Sequence, residues 1–177
     1  MATTSGRLPY PVGTDKVVNG DDAIAALAQK IDDGAYYGGT IRALNNAVSG
    51  VLTQNTWQTV PLGAYSDVSL PTNAGIALPG NSTFLINRAG LYHFAAVVTL
   101  SAGSFAARII EVNATRVIAA AYATAPLQYV SLSGTLNAGA GWQFRLQVYP
   151  LAAGVTIPVD SNANPVTMVA THLVQVR

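Results

Sequence analysis

Residues 84–94, Phe-Leu-Ile-Asn-Arg-Ala-Gly-Leu-Tyr-His-Phe, constrain the fold of this chain more than any other stretch. Residues 82–86 read as a short strand and 91–100 as a long one. In the long one, Tyr92, Phe94, Ala96, Val98 and Leu100 share a face by the two-residue period of extended chain. Gly90 stands between the two runs. A glycine there can take a positive φ at little steric cost, so it is expected to turn the corner before the long strand begins.

From residue 52 onward the same kind of pattern recurs. Strands are expected over 55–62, 64–69, 106–112, 116–122, 127–136, 142–149 and 166–176, with a loop rich in proline, glycine and asparagine over 71–80. Short strands at this spacing, separated by turn residues, predict a sandwich or barrel. In 142–149, Trp142, Phe144, Leu146 and Val148 alternate with Gln143, Arg145 and Gln147, as in a strand with one wet face. In 91–100 and 166–176 the second face is also apolar, with Leu91, Val97, Val169 and Leu173, so those strands are expected to be covered on both sides.

The spacing of Phe84, Gly90, Tyr92 and Phe94 resembles the signature of the globular heads of complement subcomponent q and their tumour-necrosis-factor-like relatives. The resemblance implies an all-β jelly-roll sandwich that forms a homotrimer. In such a trimer an inner sheet, containing the strand of Tyr92 and the last strand, packs around a three-fold axis.

The residues before 52 read differently. Residues 1–20 are extended, interrupted by Pro9, Pro11, Gly13 and Gly20. Asp21 and Asp22 can cap a short helix whose apolar stripe is Ile24, Leu27, Ala28 and Ile31, and Gly34 ends it. A helix of about ten residues does not persist alone in water, so the stripe needs a partner, and Ile24, Leu27 and Ile31 are the candidate docking contacts. A second helical spacing, Ile41, Leu44, Val48 and Val51, has the three-four alternation of a coiled-coil seam. Two readings of it stand open: a helix packed on its own domain, or a neck in which three chains associate. Residues 9–28, which run from Pro9 and Tyr10 through Asn19, Gly20 and Asp21 to Ala28, resemble the start of virion proteins of phages infecting actinobacteria. That resemblance implies attachment to a particle. The expected organisation is an anchor over 1–34, a neck over 35–52 and a jelly-roll head over 53–177.

Composition narrows the function. Half of the residues are hydrophobic and only 10% are charged, against about 25% in ordinary soluble domains, which favours burial between subunits. A net charge of +1 with scattered arginines gives no footprint for nucleic acid, and no run reaches the ~18 apolar residues of a membrane span. The chain has no cysteine, and its start carries no apolar core of signal-peptide length, so assembly in a bacterial host's cytoplasm is expected.

No nucleophile elbow, phosphate loop or paired-histidine zinc motif occurs, and neither a catalytic residue nor a metal or cofactor site is assigned. His93 points away from the Tyr92 face, toward a three-fold axis if the head trimerises. Three copies there could hold an anion or a metal ion, although a hydrogen-bonded strand histidine is the ordinary alternative. The expected function is therefore a non-enzymatic virion structural protein, of capsid-decoration, head-fibre or minor-tail type. It would contact other virion proteins through residues 1–34. The alternative is an adhesin whose head binds host-surface glycan, with Tyr36, Tyr37, Trp57, Tyr65, Tyr122 and Tyr149 as candidate stacking rings.

Overall fold

The computed structural model describes residues 40–45, 48–65, 75–77, 82–124, 129–161, 163 and 165–175. The described residues form eleven strands and no helix. In chain order these are β1 (Thr40–Leu44), β2 (Gln58–Thr59), β3 (Gly63–Tyr65), β4 (Ile76–Ala77), β5 (Phe84–Ile86), β6 (Gly90–Thr99), β7 (Phe105–Glu111), β8 (Arg116–Ala123), β9 (Tyr129–Ala138), β10 (Gln143–Pro150) and β11 (Thr167–Gln175).

They make two antiparallel sheets. One, the inner sheet, has the order β3-β1-β11-β6-β9, and the other, the outer sheet, β4-β5-β10-β7-β8 with β2 also on β10. The alternation read from the sequence decides which side chains enter the space between them. Tyr92, Phe94, Ala96 and Val98 of β6 are buried, and so are Phe144, Leu146 and Val148 of β10. Phe94 meets Phe144 across the gap with ring centroids 4.4 Å apart. Each such ring removed from water contributes roughly 1.5–3 kcal/mol, so the facing rows of β6 and β10 dominate the cohesion of the two layers.

The structure departs from the sequence pattern at Gly90 and in the segment that begins at Thr40. Gly90 is not the corner: it is the buried first residue of β6, paired with Ala138 and with Gln175, and its φ is not positive. The turn lies instead at residues 87–89, where Asn87 and Arg88 both donate their backbone N–H to the Gly75 carbonyl. The helical spacing of Ile41, Leu44, Val48 and Val51 forms no helix. Thr40–Leu44 is a strand, with Ile41 and Ala43 buried and Leu44 half-exposed on the other face. Beyond it the backbone bonds at Asn45, Ser49 and Leu52 to Val166, Ile157 and Val155 lay the segment along the 155–166 loop, which leaves Val48 and Val51 exposed. The head therefore includes residues from 40 onward, within the stretch expected to be a neck. The expected anchor helix, with Ile24, Leu27 and Ile31, lies outside the described residues.

Candidate functional site

The aromatic spacing of residues 84–94 serves the core. Phe84, Tyr92 and Phe94 are fully buried. Tyr92 stacks on His172, ring centroids 4.6 Å apart, because the two residues face each other in the β6–β11 register. Its hydroxyl lies 2.6 Å from the Arg88 carbonyl oxygen and 3.0 Å from that of Gly75. Burial pushes the Tyr92 phenol up to about 12, since the phenolate would lose its hydration, while the nearby Arg88 guanidinium pulls weakly the other way. Gly75 is required at this spot: a Cβ there would sit 2.6 Å from the Tyr92 hydroxyl and 2.9 Å from His172 Nδ1. This cluster, which ties the residue 75 loop to β6 and β11, is invisible in the sequence because Gly75 lies 17 residues from Tyr92.

The inner sheet turns its second face outward, and the register arranges that face in rows. Thr40, Thr171, His93 and Thr135 form one row across β1, β11, β6 and β9; Arg42, Val169, Ala95 and Ser133 form the next; Leu44, Thr167, Val97 and Ser131 the third. All are half-exposed or exposed. Small side chains in the middle leave a depression of about 390 Å³ whose lining includes His93, Ala95, Val97, Ser131, Ser133 and Val169. Within the first row Thr40 Oγ1 lies 3.1 Å from Thr171 Oγ1, and between the second and third Arg42 Nε donates to Thr167 Oγ1 at 3.4 Å. His93 faces this surface as the alternation requires, and its Nδ1 lies 2.9 Å from Thr135 Oγ1, the ordinary strand-histidine arrangement. His172 lies on the opposite, core side. Among the described residues no three His, Cys, Asp or Glu side chains gather as metal ligands would.

The outer sheet carries a second cluster. Tyr149 of β10, Ala106 of β7 and Tyr122 of β8 stand in one row. Trp57, just before β2, packs on Tyr149 with centroids 5.3 Å apart. Arg108, two residues along β7 from Ala106, lays its guanidinium 4.0 Å from the Trp57 ring centre and donates from Nε to Gln147 Oε1 at 2.9 Å. Tyr122 is 56% exposed. The sequence supplied Trp57, Tyr122 and Tyr149 as candidate rings but missed Arg108, whose partner is 51 positions away; Tyr36 and Tyr37 lie outside the described residues.

Taken together, the two sheets, with β11 between β1 and β6 and β10 between β5 and β7, are the tumour-necrosis-factor-like jelly roll. Three solved structures of murine APRIL, at pH 8.5, 8.0 and 5.0, share it with TM-scores of 0.53, 0.54 and 0.56. They are 10%, 12% and 12% identical, and each comparison covers 77% of this chain and 100% of the other. No protein-family model and no curated protein sequence matches the chain.

Proposed function

We propose that this chain is a non-enzymatic structural protein of a phage particle, a homotrimer whose head is displayed on the surface and whose residues 1–34 attach it to capsid or tail. The observation that carries the trimer is the outward face of the inner sheet. Its three rows hold threonine, serine, alanine, valine and leucine, with Arg42 and His93 as the only titratable side chains among them. A surface of mostly small, uncharged side chains desolvates at low cost, and a two-sheet head with such a face is suited to packing against copies of itself. The resemblance of residues 84–94 to trimeric heads supports the same arrangement, and the resemblance of residues 9–28 to phage virion proteins supports the attachment role.

Light scattering behind a sizing column tests the trimer: the chain mass is 18.3 kDa, so three copies weigh 54.9 kDa. A monomer at micromolar concentration refutes it. Deleting residues 1–34 is expected to leave a folded head that no longer joins particles, and incorporation of the truncated chain refutes the attachment role. A second reading, an adhesin head that holds host-surface glycan, is favoured by the Trp57, Tyr149 and Arg108 cluster on the opposite sheet.

A further inference from the structure

The outer-sheet cluster has the parts of a saccharide site and a charge that narrows its class. Between Tyr149 and Tyr122 the row is floored by Ala106, and Ala120, opposite Arg108, continues the floor. Neighbouring strands are ~4.8 Å apart, so the two tyrosines rise roughly 10 Å from each other over a floor of methyl groups. That leaves room for a sugar ring, whose C–H face stacks on aromatic surface. Arg108 borders the same floor. Its Nε is held by Gln147 and one face of its guanidinium by Trp57, so the group is fixed in place before any ligand arrives. A planar guanidinium held in this way presents a fork of N–H donors that matches a carboxylate, with little side-chain entropy left to lose.

The charge around it is one-sided. On the outward face of this sheet Arg145 lies on β10 two residues from Gln147, with its Nε donating to Thr83 Oγ1 at 2.8 Å. The described residues include two carboxylates. Glu111 is buried and paired with Arg116 at 3.4 Å, and Asp160 accepts from the Val166 backbone N–H in the loop before β11. Neither neutralises Arg108. Partial burial of Arg108 also weakens its hydration, which strengthens its pairing with an anion.

We propose that the face formed by Trp57, Ala106, Arg108, Tyr122 and Tyr149 binds an anionic saccharide, one sugar ring lying over Ala106 against the tyrosines and its carboxylate on the Arg108 guanidinium. The inference rests on the adhesin reading and sharpens it by locating the site and choosing the ligand class; it is independent of the trimer.

The test titrates the full chain with a hexuronate tetrasaccharide and with the neutral hexose tetrasaccharide of the same linkage. Binding is followed by tryptophan fluorescence in a Trp142→Phe background, so that Trp57 alone reports, and is repeated by calorimetry on the unaltered chain. The expected result is hexuronate binding at least tenfold tighter than neutral binding, weakened at least tenfold by Arg108→Gln and by Tyr122→Ala. Tyr122 is exposed, so its variant keeps the fold even if Arg108→Gln does not. Equal binding of both sugars, unmoved by Arg108→Gln, overturns the anionic class and leaves the adhesin reading standing. Binding of the hexuronate that neither variant weakens overturns the location, and binding of neither sugar overturns both the inference and the adhesin reading for these ligand types.

Discussion

Replacing Tyr92 by phenylalanine removes one oxygen atom from the centre of the head and gives a signature in both stability and pH. The ring and its stack on His172 remain, so packing changes little. What is lost is the hydroxyl bond, held most closely by the Arg88 carbonyl at 2.6 Å with the Gly75 carbonyl at 3.0 Å. Leaving a buried acceptor without this donor costs about 1–3 kcal/mol, which for a chain of this size lowers Tm by roughly 2–12 °C. The pH effect has a definite sign. The phenol is near 10 in the unfolded chain and about 12 in the fold, so folding favours the protonated form. That contribution is complete below pH 10 and is lost as the pH climbs from 10 to 12, by about 3 kcal/mol in all. Urea unfolding followed by circular dichroism at steps from pH 8 to 12 measures it. Wild type is expected to lose stability over pH 10–12 more steeply than Tyr92→Phe, so the gap between them narrows. An equal slope in the two proteins, or an unchanged Tm at neutral pH, refutes the reasoning.

Other substitutions test the remaining layers. Gly75→Ala forces a Cβ against the hydroxyl of Tyr92 and the ring of His172, both held in the core, and is expected to cost about 1–3 kcal/mol by thermal melting. Phe94→Ala empties the contact with Phe144 and is expected to cost about 3–5 kcal/mol, enough to make the head insoluble or unfolded near 37 °C; a soluble trimer of normal Tm contradicts this. Ser133→Arg places a charge beside the depression of the inner sheet without touching the core, and is expected to give a folded monomer in light scattering while the melting of the isolated head fold is retained. A 54.9 kDa species from that variant contradicts the placement of the trimer surface.

The parts of this fold that were legible in the sequence are those whose pattern is local. Strands β6 and β10 alternate large apolar residues with others, and the structure buries the set that the alternation selects. The second face of β6 and β11, with Leu91, Val97, Val169 and Leu173, was expected to be covered; in the single chain it is half-exposed, Leu173 by 47%. β1 was misread because only Ile41 and Leu44 stand out in it as large apolar residues, three apart as on a helix. Its true two-residue period runs through Ala43, too small to announce itself, and the strand is imposed by pairing with Thr167, Met168, Val169, Ala170 and Thr171, far along the chain. Gly90 was taken for a corner because glycine permits one, yet the pairing of β6 with both neighbours holds it extended. The Arg108 and Trp57 contact, like that of Gly75 and Tyr92, depends on topology that no short window of sequence contains.

The central position of β11 has a consequence for how the head is made. It lies between β1 and β6, and its partner Thr40 is separated from Thr171 by 131 positions. During synthesis β1 therefore leaves the ribosome long before the strand it must pair with exists, and β6 waits with one edge open. The outer sheet's β7–β8 and β7–β10 pairs join nearer neighbours along the chain. The inner sheet is thus joined across its middle by contacts of long sequence separation, the kind that form slowly.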